Sequence, residues 1–261
     1  MTDKLFDLTG KVALVTGANS GLGFGFAEGL ARAGSDLVIW GRRKEANERA
    51  AEKLRALGAK VHSAEVDVTE EAQIVAGVAD ALAAMGRIDT VVANAGIASV
   101  KPFIEMDADT YNSLMAVNQH GVVFTLREVA KHMVARAEAG DPGGSMILCG
   151  SGSIFQGVPT LTHYGAAKGA LAALSKGLAA ELGPHGIRCN VIAPGFIITE
   201  MTMADPEYGQ MLADAVAAKA PIGRAGMPDD LWGAVVYLAS DLSRYHTGDT
   251  LVIDGGKMFN N

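Results

Sequence analysis

The stretch covering residues 11–40 constrains the fold of this chain more than any other. Residues 11–16 form an apolar run typical of a buried strand, and residues 17–23 are Gly-Ala-Asn-Ser-Gly-Leu-Gly. Helix-forming residues follow over 24–33, and a second apolar run covers 36–40. A strand, a glycine-rich turn, a helix and a strand within about 30 residues form the βαβ unit of dinucleotide-binding folds.

The glycine-rich turn is suited to holding a pyrophosphate. Glycine lets the backbone approach a ligand closely, and the N-terminus of the following helix offers free N–H groups to phosphate charge. The spacing is GxxxGxG rather than GxGxxG, so the strand–turn–helix context carries the interpretation. The residues expected here are Gly17, Asn19, Ser20, Gly21, Leu22 and Gly23.

Alternation of strand-like and helix-like segments continues along the chain. Strands are predicted at 11–16, 36–40, 60–66, 90–93, 145–149, 188–193 and 250–253. Helices are predicted at 24–33, 46–57, 70–85, 109–139, from Tyr164 to about 183, and 232–239. This order predicts an α/β fold, a Rossmann-type doubly wound parallel sheet with helices on both faces.

Ligands in such a sheet bind past the carboxyl ends of the strands. With no internal repeat or linker, residues 1–261 are expected to form a single dinucleotide-binding and catalytic domain. The segment at about 199–226 has no clear periodicity, and we predict that it is a mobile substrate flap.

Composition narrows the class of protein further. Apolar residues make up 49% of the 261 residues and charged residues 20%, which is typical of a soluble globular chain. The formal net charge of −7 argues against a nucleic-acid surface. Cys149 and Cys189 lie in apolar runs, without a CxxC or a Cys/His cluster, so we expect buried thiols and no metal site. With no signal-like apolar N-terminus and no membrane span, a cytoplasmic setting is expected.

Tyr164 and Lys168 are four residues apart, which places both side chains on one face of a helix. A lysine ammonium held beneath a tyrosine hydroxyl favours the phenolate, so such a tyrosine can give or take a proton. The pair alone is weak evidence, because YxxxK also occurs by chance on solvated helices.

An ordered set of motifs surrounds this pair: Thr16 to Gly23, Asp67, Asn94-Ala95-Gly96, Asn118, Ser151, Tyr164 with Lys168, and Pro194-Gly195. In this order, over nearly the whole chain, the set resembles the short-chain dehydrogenase/reductase family in its single-domain form. The resemblance implies an enzyme that interconverts a ketone and a secondary alcohol by hydride transfer from or to a nicotinamide cofactor.

The resemblance also implies a role for each catalytic residue. Tyr164 would be the general acid in reduction and the base in oxidation. Lys168 would favour the phenolate and bind the nicotinamide ribose. Ser151, 13 residues before Tyr164, would hydrogen-bond the substrate oxygen. Asn118 would hold the helix geometry and a water of the proton relay. Ser153 competes with Ser151 for this role, and His163 is expected to point away from the Tyr164 and Lys168 face.

The cofactor is predicted to be NADP(H), with NAD(H) as the alternative. The second strand leads into Gly41-Arg42-Arg43 with no acidic residue at its tip, and arginine suits a 2′-phosphate. Arg42 and Arg43 could instead be the solvated start of a helix, with Glu45 nearby. The residues expected to bind the cofactor are those of the glycine-rich turn named above together with Arg42 and Arg43. The other expected cofactor-binding residues are Asp67, Val68, Asn94, Ala95, Gly96, Tyr164, Lys168, Pro194, Gly195, Ile197 and Thr199.

Two other functions stay open at this point. One is a reductase of 3-oxoacyl groups on an acyl-carrier protein, for which Arg127, Lys131, His132 and Arg136 would offer a basic docking patch. The other is a catalytically silent dinucleotide sensor. The family resemblance implies a homo-oligomer, most simply a tetramer, and the helix from Tyr164 presents small residues on its outer faces. The expected substrate partner is a small ketone or secondary alcohol.

Overall fold

The computed structural model describes residues 5–259, so residues 1–4 and 260–261 of the predicted domain lie outside the described residues. Seven strands alternate with eight α-helices in this part of the chain. The strands are β1 Val12–Thr16, β2 Asp36–Gly41, β3 Val61–Glu65, β4 Thr90–Ala93, β5 Gly144–Cys149, β6 Ile187–Pro194 and β7 Thr250–Ile253. The helices are α1 Gly21–Arg32, α2 Lys44–Arg55, α3 Glu71–Met85, α4 Ala108–Met115, α5 Gly121–Glu138, α6 Thr162–Leu182, α7 Pro206–Lys219 and α8 Trp232–Ala239.

The strands form one parallel sheet in the order β3-β2-β1-β4-β5-β6-β7. The chain starts at the centre, winds outward through β2 and β3, and returns to β4 on the other side of β1. The order therefore reverses between β1 and β4, which is where sheets of this kind form a ligand crevice at the carboxyl ends of the strands. All seven strands that the apolar runs predict are present, and the doubly wound fold is confirmed.

Helices cover both faces because successive strand residues point to opposite sides of the sheet. Val15 packs in a core that α1 and α8 complete with Phe26 and Leu238. Leu14, its neighbour in β1, packs in a second core that α5 and α6 complete with Leu126 and Leu171. Both cysteines are buried and unpaired, as expected from their apolar surroundings.

The structure adds detail to two of the predicted segments. The predicted helix over 109–139 is divided into α4 and α5 by a π-helical turn at Ala116–His120. The predicted flap, whose sequence has no clear periodicity, contains the 14-residue helix α7. Only Gly209 and Ala213 of α7 are buried, so no apolar stripe exists for a periodicity search to find. The sequence does indicate where α7 begins, because Asp205 is its N-cap and Pro206 is its first residue.

Over residues 5–259, no helix is long and apolar enough to cross a bilayer.

Candidate active site

The turn between β1 and α1 depends on glycine for two different reasons. Gly17 and Gly21 have φ values of +65° and +53°, a region that other residues adopt only with strain. Gly23 has no such constraint, but a Cβ there would lie 2.1 Å from the Gly17 carbonyl oxygen. The turn is therefore packed as closely as the backbone permits. It places the N-terminus of α1 at the crevice.

The N-terminus of α1 is available to an anion. Ser20 is its N-cap and makes no side-chain capping bond, and the first turn contains no acidic residue. The first N–H groups of a helix have no intrahelical acceptor, and they carry the positive end of the helix dipole. These are the requirements for binding a phosphate group.

Hydrogen bonds from neighbouring strands hold the turn in place. The side-chain amide of Asn94, after β4, donates to the Thr16 carbonyl at 3.0 Å, and Thr16 Oγ1 accepts the backbone N–H groups of Asn94 and Ala95. Asn19 donates to Asn47 Oδ1 at 2.8 Å. The side chains of Asn19 and Asn94 thus donate to the protein itself, so their first role is to shape the turn.

Asn47 is a residue that the sequence reasoning missed. Its amide donates to the carbonyls of Gly41 and Ala64, at the ends of β2 and β3, while its oxygen accepts from Asn19. One buried amide therefore joins two strand ends to the glycine turn. The available signal was a polar residue on the face of α2 that otherwise buries alanines and Leu54.

Positive charge collects at the end of β2. A groove there is lined by Arg42, Arg43, Lys44, Glu45, Ala46, Arg49 and Glu65. The Arg42 guanidinium lies 3.9 Å from Asp67 Oδ2 and is 64% exposed. An ion pair this long and this exposed contributes little, so Arg42 stays available to a ligand. Glu45 and Glu65 together do not neutralise the four cations of this groove, which argues against a merely solvated helix start.

Asp67 and Val68 follow β3 next to this groove. Asp67 Oδ1 accepts from the backbone N–H and the hydroxyl of Thr69, so it stabilises its own turn. Val68 is buried, and a Cβ on Gly121 would lie 2.8 Å from its carbonyl oxygen. This contact places the start of α5 directly beside the turn after β3.

Lys168 and Tyr164 lie one turn apart on α6, as predicted. Lys168 is only 3% exposed, and its Nζ lies 5.7 Å from the centroid of the Tyr164 ring. The ammonium donates to the Cys149 carbonyl, at the end of β5, at 2.7 Å. This is its only hydrogen bond to the described residues, so two of its three N–H donors remain for a ligand.

Ser151 follows β5 directly and caps a short 3₁₀ turn at Gly152–Ile154. Its Oγ accepts the backbone N–H of Ser153 at 3.1 Å, which leaves its own hydroxyl proton free to donate. The competing hydroxyl of Ser153 is buried and has no partner among residues 5–259. Ser151 therefore keeps a free hydroxyl donor, whereas the hydroxyl of Ser153 is enclosed by the described protein.

Asn118 sits inside the π-helical turn, fully buried. Its Oδ1 accepts from the Ile97 N–H and its Nδ2 donates to the Ile97 carbonyl, both at 2.8 Å. A π turn frees a backbone position from the regular ladder and is frequent at functional sites. Here it turns one side-chain amide toward the chain after β4, and Ile97 packs in one small cluster with Tyr164.

The two ends of the predicted flap are paired with each other. Ile197 pairs with Gly226, and the Ile198 N–H donates to the Gly226 carbonyl at 2.9 Å. Thr199 lies beside the glycine turn, with its Cβ 3.5 Å from where a Gly21 side chain would begin. Pro194 ends β6, and Gly195 packs so closely on Asp254 that a Cβ would lie 2.7 Å from it. The predicted flap thus starts beside the glycine turn.

The predicted basic patch on α5 is neutralised by the protein's own acids. Glu128 accepts from both Arg127 and Lys131, and burial is outweighed by the Lys131 hydrogen bond, so the pKa of this carboxyl is lowered. Arg136 binds Asp89 at 2.7 Å. His132 accepts the Ile88 N–H at 3.3 Å. These side chains do not form a free basic docking surface.

Comparison with known proteins gives matches over nearly the full chain. A family model described as enoyl-(acyl carrier protein) reductase matches residues 17–258. A gluconate 5-dehydrogenase of Gluconobacter oxydans (strain 621H) is 38% identical over 255 residues, covering 97% of this chain and 96% of that protein. A 3-oxoacyl-(acyl-carrier-protein) reductase of Chlamydia pneumoniae is 35% identical, covering 95% and 97%.

One solved structure combines a similar fold with a bound cofactor. It is a gluconate 5-dehydrogenase from Burkholderia cenocepacia J2315 in complex with NADP and tartrate. Its TM-score to this chain is 0.90, at 37% identity and with 98% of each chain covered.

Proposed function

This chain belongs to the short-chain dehydrogenase/reductase family of NAD(P)-dependent oxidoreductases, and we propose that it interconverts a ketone and a secondary alcohol with NADP(H). The observation that carries the proposal is the buried ammonium of Lys168 beside the ring of Tyr164. A lysine is buried only where its charge is needed or compensated, and one backbone carbonyl compensates it in part. Its proximity favours a tyrosine that can exchange a proton.

Each residue then has a chemical role in reduction. The Tyr164 hydroxyl gives its proton to the substrate oxygen, and the ammonium of Lys168 stabilises the phenolate that remains. The Ser151 hydroxyl donates a hydrogen bond to the same oxygen as negative charge develops there. Asn118 holds the chain beside Tyr164 through Ile97. When bound, the nicotinamide cofactor supplies the hydride, and in oxidation it takes the hydride up.

The residues present fit such a cofactor. The glycine turn and the N-terminus of α1 would hold the pyrophosphate, and the two free N–H donors of Lys168 suit ribose hydroxyls. Arg42 and Arg43, on the groove after β2, would hold a 2′-phosphate, which supports NADP(H) over NAD(H). The NADP complex of the related gluconate 5-dehydrogenase supports the same choice.

We further propose that the substrate is a polyhydroxy acid or its keto form. The support is the similarity to gluconate 5-dehydrogenases, one of them holding tartrate, together with a cation beside the segment that follows Ser151. The Lys257 ammonium donates to Gln156 Oε1 at 3.2 Å and forms no ion pair with residues 5–259. An unpaired cation in this position suits a substrate carboxylate.

The test is a substrate panel with both cofactors. It contains 5-keto-gluconate, a neutral ketose of similar size, and a 3-oxoacyl thioester of an acyl-carrier protein. We expect the keto acid with NADPH to give the highest kcat/KM, and Lys257→Met to raise KM for that substrate alone. Preference for the thioester would favour the acyl-carrier reductase, to which the chain is also similar. NADPH binding without any turnover would favour the silent sensor.

Tyr164→Phe tests the chemistry itself. Removing a positioned acid or base costs about 10²–10⁴-fold in turnover, so this variant should lose most activity while it binds NADPH nearly as the wild type does. Near-wild-type turnover in Tyr164→Phe would refute the assignment.

We also propose a homo-oligomer, most simply a tetramer, from the family resemblance. Ala166, Ala173 and Gly177 are exposed on α6, and small residues permit close approach of a second helix. Light scattering across a wide concentration range checks this proposal, and a monomer mass throughout would refute it.

A further inference from the structure

The chain after β4 is hydrogen-bonded at every second residue, to the π-helical turn, to α6 and to the segment before α6. Ile97, Ser99 and Lys101 are half-buried, whereas Ala98 and Val100 are exposed. This alternation is the pattern of an extended segment that lies with one face on a surface. The surface is formed by the π-helical turn, the segment before α6 and the first turn of α6.

Each of the three inward residues has its own hydrogen-bonded partner. Both backbone polar groups of Ile97 bind the Asn118 amide. Ser99 Oγ lies 2.7 Å from His163 Nε2. The Lys101 N–H donates to the Thr160 carbonyl at 3.0 Å.

The contact between Ser99 and His163 is the most deeply buried of the three. His163 is 1% exposed, and its other ring nitrogen, Nδ1, has no partner among residues 5–259. A buried imidazole with one nitrogen unsatisfied is costly, so its single hydrogen bond is not an incidental contact. His163 also directly precedes Tyr164 in the chain, so whatever fixes His163 fixes the first turn of the catalytic helix.

The contact between Lys101 and Thr160 involves a residue with a strained backbone. Thr160 has a φ of +67°, the only non-glycine residue among 5–259 with positive φ. For a β-branched residue this conformation is unfavourable and persists only where surrounding contacts enforce it. The strained peptide presents its carbonyl to Lys101, which indicates that the 97–101 segment and the chain entering α6 hold each other in place.

We propose that Ser99 and His163 form a positioning clamp for the proposed reaction, which fixes residues 97–101 as a wall of the substrate site against Tyr164. The clamp touches neither the glycine turn nor the groove after β2. It therefore should change the binding of the carbonyl substrate more than the binding of the cofactor. The catalytic consequence rests on the proposed function, whereas the ordering of the segment does not.

The experiment compares five full-length variants with the wild type. Ser99→Ala and His163→Phe each remove one half of the clamp, and the double variant removes both. Ser99→Thr keeps the hydroxyl and should rescue the behaviour, since a β-branched residue suits an extended segment. Val75→Ala is the matched control, because this side chain on α3 is 45% exposed and lies outside the 97–101 segment.

Three readouts are measured: the KM of the keto substrate, the Kd of NADPH, and amide hydrogen exchange over residues 97–104. In Ser99→Ala we expect KM to rise about fivefold, the order expected for one net hydrogen bond, with kcat and Kd within about twofold. Exchange over 97–104 should become faster. The double variant should resemble the more impaired single variant, because the two side chains act through one contact.

Unchanged exchange in Ser99→Ala overturns the clamp, and this readout needs no turnover. Additive effects in the double variant also overturn it. Faster exchange without a rise in KM shows that the segment is ordered by the clamp but does not bound the substrate, which overturns the positioning role. If the panel gives no turnover for the wild type, the proposed function fails, and hydrogen exchange alone decides the clamp.

Discussion

Gly23→Ala tests how far the glycine turn is determined by packing rather than by the cofactor. A Cβ at Gly23 would lie 2.1 Å from the Gly17 oxygen and 2.5 Å from Asn94 Nδ2, whereas ordinary contact begins at 3.4 Å. The turn or the helix must therefore move by about 1.3 Å. Both sides resist this, because Asn94 Nδ2 is bound to the Thr16 carbonyl and Phe26 of α1 is fully buried.

Two opposing free-energy contributions determine whether Gly23→Ala stabilises or destabilises the protein. Alanine is favoured over glycine inside a helix by about 1 kcal/mol. Overpacking against well-packed surroundings costs about 1–3 kcal/mol, and a displacement of backbone on both sides places this variant at the upper end. We expect a net loss of about 2 kcal/mol, which lowers Tm by about 4–8 °C in a chain of this size. Since the N–H groups at the start of α1 are displaced, the Kd for NADPH should rise at least tenfold.

The matched control is Gly233→Ala, in the first turn of α8, where a Cβ would meet no atom within 4 Å. It should leave Tm unchanged or slightly higher and leave the Kd for NADPH unchanged. Thermal unfolding and titration of NADPH fluorescence measure both quantities. A Gly23→Ala protein with the Tm and Kd of the control would refute the packing argument.

Three further predictions follow from the structure. Arg42→Ala should lower kcat/KM for NADPH about tenfold with little change for NADH, whereas Arg55→Ala, outside the groove, should change neither; an unchanged NADPH value contradicts the 2′-phosphate role. Although burial favours its neutral form, hydrogen bonds from Arg87, Val12 and Arg136 lower the pKa of Asp89. The stabilisation that these bonds give the folded state is therefore present above pH 3.8 and is lost as the pH falls through the lowered pKa of Asp89. Urea unfolding should show that Asp89→Asn is about 3 kcal/mol less stable than the wild type at pH 7, with a smaller deficit at pH 3. Residues 199–226 should gain protection from hydrogen exchange when cofactor and substrate bind, and equal protection with and without ligands would count against a flap.

Much of the fold was predictable because its signals are local. Apolar runs of strand length, helix-forming segments and the glycines between them act within a few residues, so all seven strands were predicted within about two residues at each end. Helix α7 was missed because it is mostly exposed, and exposed helices carry no apolar stripe. The π-helical turn was missed because its neighbours on both sides are ordinary helix formers.

The sequence by itself determined the alternating fold and the spacing of Tyr164 and Lys168, because both depend on separations of a few residues. Only the tertiary structure decided where the Lys168 ammonium is bound, how Asn47 joins two strand ends to the glycine turn, and that His163 meets Ser99. The partners in these contacts are 19, 28 and 64 residues apart. No periodicity encodes such separations, because each contact exists only after the parallel sheet has brought the carboxyl ends of its strands to one edge.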